Sequence, residues 1–249
     1  MKFYKIQGGG NDFIFPIDLI NLDRNEIAKL CTRGVSVGAD GIIFVKEKSG
    51  FDFEMIYYNK DGSLAEFCGN GARCSVRYAI ERGIVGKNSS IHFLAGDGEH
   101  YAYKVGNDIA LQMNFNGVIE KLAIEGIDGY YLNTGVPHFV ILCETDCFDI
   151  TLAKKIRYNA YFPRGTNVNF VWKENNRYKI RTYERGVEDE TLACGTGITA
   201  SGIILNKEKK GKVFIESKYG YIFEVDTNDN ITLTGSTEVV YTGETVNTI

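Results

Sequence analysis

YYNKDGSLAEFCGNGA (residues 57–72) and YERGVEDETLACGTGI (residues 183–198) are the stretches that decide the fold, because each carries a Cys-Gly-x-Gly after an acidic, turn-rich run. Cys68 and Cys194 are 126 positions apart (194 less 68), and the same spacing relates Phe13-Ile14 to Phe139-Val140 and Phe44-Val45 to Phe170-Val171. Three pairs in one register predict two copies of a single unit. The first copy is expected over residues 1–115 and the second over 116–249, although no Pro- or Ser-rich linker marks the join.

Local signals within each copy are mixed. Stretches rich in β-branched and aromatic residues, bounded by Gly, Asn and Asp, predict strands at 12–17, 41–45, 51–58, 100–105 and 109–113 in the first copy. In the second they predict strands at 131–142, 167–172, 178–183, 212–216, 221–225 and 231–234. Helical periodicity predicts helices at 25–32, 70–82, 152–159 and 196–207. Strands outnumber helices and fall in hairpin-like pairs, so the expected class is α+β with a mainly antiparallel sheet.

Cys68 and Cys194 each stand directly before a predicted helix. The first turn of a helix has unpaired N–H groups and a partial positive charge, which favour a thiolate there. The same N–H groups can hold a carboxylate, and Gly69, Gly71, Gly195 and Gly197 let a ligand approach the backbone with no Cβ in the way. If the duplication sets the two cysteines on opposite sides of a cleft, the α-carbon of an amino acid lying between them has a sulfur on each face. One thiolate then takes the α-proton while the opposite thiol delivers another, and the centre inverts. This chemistry calls for no cofactor and no metal. The other four cysteines, Cys31, Cys74, Cys143 and Cys147, read as small apolar core residues with reduced thiols: the first two fall inside helix patterns, and the last two lack C-x-x-C spacing.

Bulk properties exclude several function classes. A chain of 249 residues, 44% hydrophobic and 24% charged, is an ordinary globular composition long enough for two lobes. Its net charge is −4 and no basic run exceeds the stretch at 207–212, so no nucleic-acid partner is expected. The opening MKFYKIQGGGNDF lacks the apolar core of a signal peptide, and no apolar run reaches membrane-spanning length, which predicts a cytoplasmic protein with no membrane association. Residues 195–200 fit G-x-G-x-x-A, but an acidic stretch rather than a hydrophobic strand precedes them, so the dinucleotide reading fails. Gly8-Gly9-Gly10 lacks a P-loop ending and reads as a tight loop presenting Asn11.

With the repeat and its cysteines in hand, nearly the whole chain resembles the diaminopimelate epimerase family. The segments that carry the likeness are GNDF (10–13), GADG (38–41), YNKDGSLAEFCGNGARC (58–74), GVPHF (135–139), NVNF (167–170) and YERGVEDETLACGTG (183–197). The resemblance implies two pseudo-symmetric lobes, each a mainly antiparallel sheet wrapped around a central helix. It also implies an isomerase that inverts one centre of a small diamino diacid for lysine and peptidoglycan precursor synthesis, working as a homodimer. By similarity Cys68 and Cys194 are the acid/base pair, the backbone around Gly69, Asn70, Gly195 and Thr196 holds the reacting carboxylate, and His138 stands near the reacting end. Asn11, Asn59, Asn167, Glu184 and Arg185 are implied to bind the amines and the distal carboxylate. An arginine fork suits a carboxylate and Glu184 suits an ammonium.

The chain departs from the family pattern in three places. Val136 replaces the asparagine of Asn-Pro-His, and Asn169, where glycine is usual, is expected to replace the missing distal polar contact in part. The loop Gly186–Glu190 is one residue longer than is common, and Gln7 and Gly9 replace the usual His and Leu. A two-thiol racemase of proline derivatives shares the cysteine logic but has no need of Asn59, Asn167 and Arg185 for a distal charge. A binding protein or a phenazine-biosynthesis-like relative of the same fold has no need of the cysteine pair.

Overall fold

A computed structural model describes residues 1–86 and 90–246. Two compact units emerge: Met1–Leu111 together with Gly235–Ile249, and Gln112–Thr234. In the first unit the elements are β1 (Lys2–Gly8), β2 (Asn11–Pro16), α1 (Arg24–Cys31), β3 (Gly41–Lys46), β4 (Phe53–Asn59), β5 (Leu64–Ala65), α2 (Gly69–Glu81), β6 (Ile91–Ala95), β7 (Gly98–Val105) and β8 (Asp108–Gln112). The second has β9 (Ile119–Ile124), β10 (Ile127–Asn133), β11 (Pro137–Cys143), α3 (Ile150–Arg157), β12 (Asn167–Glu174), β13 (Arg177–Glu184), β14 (Asp189–Thr191), α4 (Gly195–Leu205), β15 (Lys212–Ser217), β16 (Ile222–Asp226) and β17 (Thr232–Gly235). The last strand, β18 (Glu238–Glu244), returns to the first unit.

The two units repeat one pairing scheme. In the first, β18, β1 and β2 are antiparallel neighbours, β3 joins β2 in parallel, β4 is antiparallel to β3, and β6 is parallel to β4. In the second, β9, β10 and β11 are antiparallel neighbours, β12 joins β11 in parallel, β13 is antiparallel to β12, and β15 is parallel to β13. Each parallel step is the place where a helix crosses over between strands. β18 thus does for the first unit what β9 does for the second. That corrects the expected second copy of 116–249: the chain end pairs with Lys2–Gln7 of β1 and belongs with the first unit.

Packing keeps the register as well. Ile27 and Leu30 on the buried face of α1 pack with Ile42 and Phe44 of β3, and Ala153 and Ile156 of α3 pack with Val168 and Phe170 of β12, four pairs at the spacing read from the cysteines. Both outer helices start on an aspartate. Asp23 accepts the N–H groups of Asn25 and Glu26 while Glu26 returns a bond to the Asp23 N–H, and Asp149 accepts those of Thr151 and Leu152. The inner helices are buried almost all round: α2 packs against β1–β4 and β18, and α4 against β10–β12, β15 and β16. Among the described residues no helix is long and apolar enough to cross a membrane.

Three local expectations change. The stretch 131–142 is a hairpin rather than one strand, broken at Gly135, whose φ of 106° suits glycine. Six strands, β1, β5, β6, β9, β14 and β18, were not among those expected, and of these β5 and β14 are only 2 and 3 residues long. Cys143 and Cys147 are joined as a disulfide, and Cys147 is exposed, so these two are not core thiols. Cys143 ends β11 and the chain doubles back, bringing the two Cα atoms to 6.3 Å. Cys31 and Cys74 are buried, and burial pushes the Cys31 thiol up to about 11.

Candidate active site

In the first unit Cys68 is the N-cap of α2, with extended backbone (φ −148°, ψ 116°), and its sulfur accepts the Gly71 N–H at 3.4 Å. A sulfur in the acceptor role at a helix N-terminus is placed as a thiolate prefers to be. Asn70, one residue into the helix, is held by a buried relay. Arg73 Nη2 donates to Asn70 Oδ1, Asn70 Nδ2 donates to Asn11 Oδ1 at 2.8 Å, and Asn11 Nδ2 donates to Asp40 Oδ2 at 2.9 Å. Asn11 reaches this position because Gly9 and Gly10, with φ of 62° and 93°, close a two-residue turn between paired Gly8 and Asn11. The structure therefore brings Cys68, Gly69, Asn70 and Asn11 together. Asn59 ends β4, where its Nδ2 donates to Ser63 Oγ at 3.1 Å across the following turn.

Asp12, Asp40 and Arg33 support this arrangement, and sequence reading assigned them no part. Asp40 accepts the Asp12 N–H at 3.2 Å and an Arg33 N–H at 3.0 Å, while Asp12 pairs with Lys5 at 3.0 Å and with Arg33. Burial raises the Asp12 carboxyl, but hydrogen bonds and charge from Arg33 and Lys5 outweigh it and hold the group below its ordinary value. The signal was present in the GNDF and GADG segments, whose aspartates lie 28 residues apart (40 less 12) and meet only in the fold.

In the second unit Cys194 is the buried N-cap of α4, again extended (φ −109°, ψ 106°). Its sulfur lies 3.4 Å from Thr196 Oγ1, and the Thr196 carbonyl accepts the Thr134 hydroxyl at 2.9 Å. The two thiols are therefore equivalent in position. Asn167 Oδ1 accepts the Arg185 N–H at 2.7 Å and Asn167 Nδ2 donates to the Pro137 carbonyl at 3.2 Å, so this side chain ties the Arg185 backbone to the start of β11. The Arg185 guanidinium donates to the Arg164 carbonyl at 3.0 Å. Burial pushes the Glu184 carboxyl up, and a cationic group beside it would bring it back down.

His138 is fully buried, and desolvation together with the nearby Arg185 charge lowers it to about 3, so the imidazole is neutral near pH 7. Its Nδ1 lies 3.0 Å from Asn169 Nδ2, and Asn169 Oδ1 accepts the Thr182 hydroxyl at 3.0 Å. Asn169 was expected to replace the polar contact missing at Val136. The structure instead spends its amide inside the unit, between His138 and Thr182.

Gly197 allows this packing. A Cβ there would overlap Asn169 Oδ1 and come within 3.3 Å of His138 Cε1. Gly197→Ala is expected to cost roughly 1–3 kcal/mol by overpacking. Thermal melts check it, and an unchanged melting temperature would contradict the packing described.

The same two-unit plan appears among solved structures. A PhzF-family phenazine biosynthesis protein from Enterococcus faecalis aligns with a TM-score of 0.73 at 14% identity, covering 99% of this chain and 100% of that one. A probable proline racemase from Agrobacterium radiobacter K84, with bound carbonate, aligns with a TM-score of 0.67 at 14% identity, covering 98% and 92%. At such identities the likeness is one of fold. Sequence is more specific: the family model described as Diaminopimelate epimerase matches residues 3–115 and 130–246. The diaminopimelate epimerase of Aquifex aeolicus (strain VF5) is 40% identical across 98% of this chain and 97% of that protein. That of Archaeoglobus fulgidus is 37% identical across 98% and 95%. Both helix-capping cysteines lie inside the matched segments, and the match runs through both units: the chain belongs to the diaminopimelate epimerase family.

Proposed function

We propose that this chain interconverts LL- and meso-diaminopimelate by two-base proton transfer between Cys68 and Cys194, without a cofactor, in lysine and peptidoglycan precursor synthesis. The observation that carries the reading is the placement of both cysteines as N-caps of the equivalent buried helices α2 and α4. One sulfur, as thiolate, takes the α-proton, and the C–H electron pair passes toward the α-carbon and its carboxylate. The opposite thiol then gives its proton to the other face and is left as the thiolate. The pair ends with its protonation exchanged, ready for the reverse direction. N–H groups at the two helix starts, around Gly69-Asn70 and Gly195-Thr196, hold the carboxylate on which charge develops.

The rest of the substrate calls for the other polar residues. A second ammonium and a second carboxylate need an anion and a cation, the roles given to Glu184 and Arg185 with Asn11, Asn59 and Asn167 around them. His138 stands at the reacting end.

Incubation with LL-diaminopimelate in deuterated, reducing buffer tests the reading. Inversion with α-deuteration is expected, and absence of both from the intact protein would overturn it. Arg185→Ala is expected to raise KM about 10–100-fold, since a hydrogen bond to a charged group contributes roughly 1.5–3 kcal/mol. Steady-state kinetics check this, and an unchanged KM would remove Arg185 from the distal site. The same reading includes a cytoplasmic homodimer, which size-exclusion chromatography with light scattering tests as to subunit number.

A further inference from the structure

The buried chain Thr182–Asn169–His138 crosses three neighbouring strands. Thr182 of β13 is the direct cross-strand partner of Asn169 on β12, and β12 runs parallel to β11, which carries His138. All three side chains are buried. A neutral imidazole has one ring hydrogen, and what its bonded neighbour can offer decides which nitrogen holds it.

Thr182 has a single hydroxyl hydrogen and gives it to Asn169 Oδ1. The amide oxygen therefore faces Thr182, and the amide nitrogen, which can only donate, faces His138 Nδ1 at 3.0 Å. Gly197 supports the same orientation, because Asn169 Oδ1 lies where a Gly197 Cβ would stand, against a backbone Cα that offers an NH2 group nothing to bond. Nδ1 must then be the lone-pair nitrogen. The ring hydrogen is left on Nε2, a buried atom with no hydrogen-bond partner among the described residues.

We propose that Thr182 and Asn169 are positioning residues that lock His138 in the Nε2–H tautomer, making it a neutral donor to the anionic reacting end of the substrate beside the first turn of α4. This rests on the amino-acid epimerase reading for the identity of the anion but not for the tautomer. A neutral donor suits the site. It can stabilise charge developing on the carboxylate without competing with Cys194 as an acid, and its ring is placed by packing against Gly197 rather than by a flexible side chain.

The experiment is nitrogen NMR of the full-length protein labelled with 15N-histidine. The chain has three histidines, and the His138 signals are assigned by their loss in His138→Gln. Wild type is expected to show Nε2 protonated and Nδ1 bare near neutral pH. An Nδ1–H tautomer or an imidazolium would overturn the proposal whatever the substrate proves to be. Asn169→Asp replaces the donor with an acceptor and is expected to move the hydrogen to Nδ1. Thr182→Val, which removes the hydroxyl that orients the amide, is expected to give a mixture of tautomers, and Thr182→Ser to restore the wild-type form. If Asn169→Asp does not fold, the two Thr182 variants still decide.

Unchanged signals in every folded variant would show that the relay does not set the tautomer. On activity, Asn169→Asp is expected to lower kcat by on the order of 10²-fold, the usual loss for one preorganised donor, with a smaller change in KM. A shifted hydrogen with wild-type kcat would overturn the donor role. Absence of diaminopimelate turnover in the wild type would fault the function reading while leaving the tautomer result intact.

Discussion

Replacing Cys194 with alanine is expected to abolish inversion of LL-diaminopimelate, and replacing Cys68 is expected to do the same. Each sulfur is proposed to serve one face of the α-carbon, so neither can stand in for the other, and loss of a positioned acid or base lowers rate by about 10²–10⁴-fold. Serine variants provide the sharper version. A hydroxyl keeps the size and the capping geometry, but it ionises far above a thiol, so Cys68→Ser and Cys194→Ser are expected to fall nearly as low as alanine. Folding should survive, because α2 is held by its long buried face. Circular dichroism melts alongside kinetics separate lost chemistry from lost structure. Inversion at the wild-type rate in any of these four variants would falsify the two-base reading.

Gly41→Ala is expected to give a large stability loss for a single-methyl change near the first-unit site. Gly41 opens β3 opposite Asn59 at the end of β4. A Cβ there would overlap the Tyr58 carbonyl oxygen and come within 2.6 Å of Tyr57 Cε2. The oxygen belongs to the backbone of the paired strand and the ring is buried, so neither can move aside cheaply. Overpacking of this kind costs about 1–3 kcal/mol, less the roughly 0.4–1 kcal/mol that alanine returns by stiffening the unfolded chain. For a chain of this size each kcal/mol moves the melting temperature by about 2–4 °C, so a drop of several degrees is expected. Because the displaced strand end carries Asn59, KM should rise as well. A melting temperature at or above wild type would show that the β3–β4 pair tolerates the methyl and that the close approach is not the reason for glycine.

The duplication, the four helices and the two cysteines that cap the inner helices were legible in the sequence because each depends on local pattern. Cys-Gly-x-Gly before a helical run marks a helix start at both of its occurrences here, and the 126-residue register survives because paired core positions such as Leu30 and Ile156 keep their places on the buried faces of equivalent helices. The family likeness was legible for the same reason, since its motifs are contiguous. What the sequence could not supply was every relation between distant segments. The return of Glu238–Glu244 to pair with the first strand is decided by which sheet edge lies open, a property of the assembled unit. Asp40 acquires its role only when Asn11, Asn70 and Arg73 converge on one relay. Asn169 shows the difference most plainly. As a letter in a strand it could have faced the distal end of the substrate, but the register of three strands places it against His138 and Thr182, and hydrogen bonding in a buried site leaves its amide little other use. Sequence determined the four helices, most of the longer strands and where the two helix-capping cysteines lie along the chain. Tertiary structure decided which polar groups meet, because buried donors and acceptors must be satisfied by whatever the packing brings within reach.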